Sequence, residues 1–219
     1  MSSLTLVIGN KAISSWSLRP WLALKQTGQA FDEIVITLRQ PDTAARILEH
    51  SPSGKVPALM HGDRTVWDSL AICEYLAETF PDARLWPDDA HARAVARAVS
   101  AEMHSGFAAL RGSMSMNLKH RFLGEGRTPA TEADIARIAR IWTDARARFG
   151  QEGPFLFGRF SIADCMYAPV VTRFDTYGVA LDPVCADYCR AVRELPAMRE
   201  WTEAALAEPW DITEPPRKG

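Results

Sequence analysis

Three serines fall within four positions, Ser14, Ser15 and Ser17, between an apolar run and a run of helical spacing. Pro20 has no amide proton, a loss that only the first turn of a helix tolerates, so the helix is expected to begin no earlier than about Trp16. Ser14 and Ser15 then stand just ahead of a helix end with unpaired amides and roughly half a positive charge, a place that favours an anion. The same hydroxyls also serve as ordinary caps, and Ser17 is read as the N-cap. Asp68 and Ser69 open a second helical run and suit capping equally well. Lys55, Val56 and Pro57 precede an apolar run; a proline there suits the first residue of a strand, because it withdraws one donor from the ladder. His104, Phe107, Arg111 and Met114 recur every three or four residues and share one helix face. An arginine on such a face is rarely fully buried without a partner, which makes Arg111 a candidate for holding an anionic group.

These residues need elements to position them. The β-branched runs at residues 4–8 and 33–38 read as strands, and the helical run between them makes a β-α-β unit with a parallel strand pair. A short helix is expected over 43–49, then two brief strands joined at Gly62 and Asp63, a two-residue hairpin turn with glycine first. A third helix spans 68–80, with Leu70, Cys73, Leu76, Ala77 and Phe80 on one face. The order β-α-β-α-β-β-α describes a small α/β domain over residues 1–80. Prolines 81 and 87 mark a linker over 81–89.

From residue 90 onward the pattern is all-helical. Residues 93–118 read as one long helix. Thr131 with Asp134, and Ser161 with Asp164, have capping-box spacing, and a last helix covers 195–208. Asp164 is assigned to holding this domain together. The tail over 208–219, around Trp210, either lies over a cleft between the domains or is disordered.

Composition narrows the function. The chain has 219 residues, 47% of them hydrophobic, and a net charge of −2. That balance gives no long-range field for nucleic acid or acidic membranes. No secretory start or membrane-length apolar run is present, so the expected location is the cytoplasm. Cys73, Cys165, Cys185 and Cys189 form no Cys-x-x-Cys pair and have no partners at zinc-finger spacing, so no metal is expected; Cys185 and Cys189 are expected reduced.

The segments SSWSLR, GKVPAL, DSLAICEYL and SIADCMYAP, in that order, resemble the glutathione transferase superfamily, most closely its zeta-like and related bacterial serine-type classes. The resemblance covers nearly the whole chain. It implies a thioredoxin-like first domain that binds glutathione as co-substrate and an all-α second domain that lines the site of a small electrophile. It also implies that Ser14, or alternatively Ser15, contacts the glutathione thiolate. Pro57 is then cis and turns the Val56 backbone towards the glutathione cysteine, Lys55 reaches the glycine carboxylate, and Asp68 with Ser69 holds the γ-glutamyl end. His104, Phe107 and Arg111 fall to the second-substrate pocket. Members of the superfamily are usually homodimers.

Zeta-like members often isomerise maleylacetoacetate and carry a cysteine where this chain has Trp16. They also share an arginine after the capping-box helix, where this chain has Thr176 or Tyr177, with Arg173 off register. Both departures weaken the isomerase reading, and the absence of a cysteine in this loop argues against the cysteine-type classes, which leaves serine-type thiol activation, used for conjugation, peroxide reduction or isomerisation. A non-catalytic module, binding an apolar ligand or serving as a dimerisation platform, is the other reading.

Overall fold

The structure, a computed structural model, describes residues 3–211. In the first domain the order is β1 (Leu4–Gly9), α1 (Ser15–Gln26), β2 (Asp32–Ile36), α2 (Thr43–Leu48), β3 (Ala58–His61), β4 (Arg64–Trp67) and α3 (Ser69–Thr79). The four strands form one mixed sheet in the order β2-β1-β3-β4, with β1 parallel to β2 and β3 antiparallel to both β1 and β4. Strand β1 is central, and its period of two serves both faces. Leu6 and Ile8 join the main core with residues of α1 and α3, whereas Val7 packs with Ile36, Ile47 and Ala58 on the side of α2. The β3–β4 hairpin turns at Gly62, whose φ of 62° a side chain would disfavour.

A 3-10 turn at Pro81–Ala83 lies between the domains. The second domain comprises α4 (Ala90–Ser105), α5 (Ala108–Ser113), α6 (Pro129–Phe149), α7 (Ile162–Tyr177), α8 (Pro183–Glu194) and α9 (Pro196–Ala207). Helix α7 is buried along almost its whole length and packs against both α1 and α4, so it ties the domains together. Its capping box is formed: Asp164 accepts from the Ser161 amide, the Ser161 hydroxyl and the Leu156 amide.

Three sequence expectations change. The long helix over 93–118 is broken between α4 and α5, where Phe107 takes a φ of 56°. Thr131 does not cap α6; Thr128 does, accepting from the Thr131 amide, with Pro129 in the first turn, and Asp134 accepts from the Leu110 amide instead. Ser17 is not the N-cap of α1. Ser14 holds that position and the helix begins at Ser15, because interrupting the ladder at Pro20 leaves only the Trp16 carbonyl without its intrahelical donor.

Candidate functional site

Asp68 stands at the N-terminus of α3 with a φ of 75°, a conformation a non-glycine residue holds only when its surroundings enforce it. Its Oδ1 accepts from the Leu70 amide at 2.9 Å and its Oδ2 lies 3.3 Å from His104 Nε2 on α4. Beside it Ser69 is 2% exposed, and its hydroxyl has no hydrogen-bond partner among the described residues. Asp68 and Ser69 line a cleft of about 470 Å³ together with Lys55, Val56 and Pro57. The Val56–Pro57 bond is cis. Trp16 and His104 also line this cleft, their rings meeting edge to face at 5.3 Å between centroids.

The serines lie behind this lining. Ser14 is 6% exposed, and its Oγ is 2.7 Å from Ser17 Oγ, which in turn accepts from the Gly9 amide. Ser15 Oγ accepts from Arg173 Nη2 at 3.1 Å. Two cations lie over the Trp16 ring: the Arg19 guanidinium sits 4.2 Å from its centroid and that of Arg111 at 5.5 Å. Arg19 is completely buried and donates Nε to the Met166 carbonyl. Burial, and after it the charges of Arg173 and Arg111, pulls its pKa down to about 9, which leaves it a cation at neutral pH.

Of the residues expected at the second-substrate pocket, His104 lines the cleft. Phe107 is buried in the core beyond the helix break. Arg111 is half-buried, and its Nη1 donates to the carbonyls of Met103 and His104, closing the end of α4. Residues 208–211 lie against the loop ahead of α1, where the Glu208 carboxylate accepts from the Lys11 and Ala12 amides; the rest of the expected tail lies outside the described residues.

Sequence reasoning named Trp16 and Arg173 only as departures from the family pattern and passed over Trp67 and Arg19. Trp67 lines the cleft directly ahead of Asp68, and a half-exposed tryptophan on an edge strand was its signal. A second cavity, of about 430 Å³ between α7 and α9, contains none of the expected site residues, although Thr176 lines it.

Residues 13–79 match the family model for the glutathione S-transferase N-terminal domain, and residues 89–204 match that for the C-terminal domain. The chain belongs to the glutathione S-transferase family. It is 35% identical over 107 residues to a probable maleylacetoacetate isomerase of Caenorhabditis elegans, and that match spans 49% of each protein, about half its length. It is 30% identical over 179 residues to the maleylacetoacetate isomerase of Rattus norvegicus, covering 77% of both chains. A glutathione transferase homolog from Burkholderia, solved with bound glutathione, superposes with a TM-score of 0.71 at 24% identity, over 94% of this chain and 100% of that one. The family's two-domain fold, a four-stranded mixed sheet with helices followed by an all-helical domain, is the fold described above. Among the described residues no helix is long and apolar enough to cross a membrane.

Proposed function

We propose that this chain binds glutathione in the cleft beside α3, stabilises its thiolate at the start of α1 with a serine hydroxyl, and adds it to a small electrophile. The observation that carries this reading is the unpartnered Ser69 hydroxyl, buried in the cleft next to the Asp68 carboxylate. A buried hydroxyl without a partner is costly, and a carboxylate seated on the N-terminus of α3 would supply its acceptor. The γ-glutamyl end of glutathione offers such a carboxylate together with an ammonium for Asp68. Val56, ahead of the cis proline, is then placed for backbone pairing with the cysteine, and Lys55 faces the glycine carboxylate.

The thiol sets the energetic demand. Lowering a thiol pKa from about 8.5 by about 2 units takes about 2.7 kcal/mol of preference for the anion. A helix end contributes roughly 0.3–1 kcal/mol, and a hydrogen bond to a charged group about 1.5–3 kcal/mol. One hydroxyl added to the helix end therefore meets the demand, and the helix end alone does not.

The electrophile enters between Trp16 and α4. Arg111 lies over the Trp16 ring, and among the described residues its hydrogen bonds go to carbonyl oxygens, with Asp134 the carboxylate acting on it from a distance, which fits an electrophile bearing a carboxylate. A homodimer is the expected assembly, to be checked by light scattering.

Calorimetric titration with glutathione tests the reading. A Kd between micromolar and millimolar is expected, weakened about tenfold in Ser69→Ala, the loss of one hydrogen bond to a charged group. No binding heat and no protection against thermal unfolding would sink it.

A further inference from the structure

The cavity of about 430 Å³ between α7 and α9 shares no lining residue with the cleft at Asp68. Its floor is buried, with Thr172 and Thr176 of α7 at 5% and 4% exposure and Met198 of α9 at 1%. Thr172, Thr176 and Thr202 each donate their hydroxyl proton to a backbone carbonyl, that of Pro169, Asn117 and Met198 in turn. A hydroxyl has one proton to give, so this floor offers an apolar surface and no hydroxyl donor. Donors come from the rim.

The rim is cationic. Asp175 is shared by two guanidiniums, with Arg121 2.6 Å from its Oδ2 and Arg193 of α8 2.9 Å from its Oδ1. One carboxylate thus faces two cations, and the hydrogen bonds these arginines make among the described residues come from Nη1, which leaves other N–H groups of both for a further acceptor. The Arg199 guanidinium, on α9, has no hydrogen bond or ion pair among the described residues. Glu203 stands one turn beyond it, and a cation ahead of an acid is the weaker order for a pair on a helix. Lys119 donates to the backbone carbonyls of Glu208 and Trp210, which are not counter-ions, and His120 is taken by Asp211. Lys119, Arg121, Arg193 and Arg199 against Asp175 and Glu203 leave two positive charges in excess, on a chain whose net charge is −2. Exposed arginines are well served by water. What distinguishes these is their convergence on one concavity from the segment ahead of α6, from α8 and from α9.

We propose that this cavity is a second ligand site, for a small organic dianion. Its apolar body lies on Met198 and Leu118, and its charges meet Arg199 and the pair Arg121 and Arg193. Carboxylate and phosphate oxygens match the paired N–H groups of a guanidinium, so the class comprises dicarboxylates and phosphate monoesters. The volume is that of a small-molecule site. A neutral ligand gains nothing from the charged rim, and a monoanion leaves half of the excess unmet. The site uses none of the residues of the glutathione reading and stands or falls apart from it.

Calorimetric titration of the full chain with phthalate and with phenyl phosphate tests the proposal, with benzoate and neutral phthalamide as controls, at about pH 8, where the phosphate carries close to two negative charges. A Kd between about 10 μM and about 1 mM is expected for at least one dianion, with benzoate at least about fivefold weaker and all affinities falling as ionic strength rises from about 0.01 M to about 0.15 M. The tighter of the two dianions tells whether the site suits a dicarboxylate or a phosphate monoester. Arg199→Met and Arg193→Met are each expected to weaken that dianion about fivefold, and Glu203→Gln to tighten it about twofold. Arg199 has no partner to lose, so its variant keeps the fold, which thermal unfolding checks. No binding of either dianion, equal binding of phthalamide, or unchanged affinity in both arginine variants overturns the proposal. A loss confined to Arg111→Met would put the dianion in the cleft instead and overturn it too.

Discussion

His104 on α4 places its Nε2 3.3 Å from Asp68 Oδ2, so the second domain reaches across the cleft to the residue that caps α3. The two carboxylate oxygens of Asp68 are thereby divided. One holds the backbone of α3, and the other faces the cleft and the imidazole. Asp68→Asn and Asp68→Ala separate these duties, because asparagine caps as well as aspartate and tolerates positive φ, but carries no charge. Asp68→Asn is expected to lose less than about 0.5 kcal/mol of stability yet weaken glutathione about tenfold, while Asp68→Ala loses a further 0.5–2 kcal/mol. Calorimetry and urea denaturation on both variants check this. Unchanged affinity in Asp68→Asn would show that the carboxylate serves only the helix.

Arg111 has two candidate duties as well, closing α4 and facing a substrate anion from above Trp16. Arg111→Met is expected to raise KM about tenfold for an electrophile bearing a carboxylate, and to leave KM for a neutral electrophile of the same shape within about twofold. If both KM values rise together, the arginine acts only through the helix end.

Local chemistry made most of the first domain legible. The alternation of residues 4–8, the glycine-first turn at Gly62 and the cap at Asp68 each depend on neighbours in sequence, and each stands where it was read. The capping box of α7 belongs with them. The misreadings arose where periodicity continues through a break. His104, Phe107 and Arg111 keep helical spacing, but the chain turns at Phe107 with a φ of 56°, and a side chain at Gly106 would stand 2.7 Å from the Glu102 carbonyl. The glycine was the available signal. The reading of α6 took Thr131 as its cap, whereas the proline directly after Thr128 was the available signal for a start three residues earlier. The contact between Ser15 and Arg173 joins positions 158 residues apart, and no spacing rule reaches that far.

The four cysteines are buried and free. Burial is the largest influence on each thiol and raises all four above the ordinary range, so none is a ready nucleophile. A chromogenic disulfide reagent at neutral pH is expected to find essentially no reactive thiol in the native chain and all four after guanidinium unfolding. Rapid modification of even one in the native state would contradict this packing.

Asp164 carries the last prediction, which concerns folding. Burial raises its carboxyl to about 6, against the pull of the hydrogen bonds from Leu156 and Ser161. The native value lies above the ordinary 3.8, so between about pH 4 and about pH 6 the folded state binds more protons than the unfolded one. The contribution of this residue to stability therefore falls as pH rises through that window and is level above it, a change on the order of 2–3 kcal/mol. Exposed carboxylates such as Asp88, held low by its hydrogen bond to Arg84, and Asp182, held low by the Cys185 amide, act in the opposite sense. A difference measurement isolates the buried group. Asp164→Asn keeps the shape but sets an amide against backbone donors, and is expected to cost about 2–4 kcal/mol at low pH. Because the variant cannot titrate, its deficit should shrink as pH rises from about 4 to about 6 in parallel denaturant titrations. A deficit that stays constant, or grows across that window, would mean that the three accepted hydrogen bonds outweigh burial and that Asp164 is a carboxylate throughout.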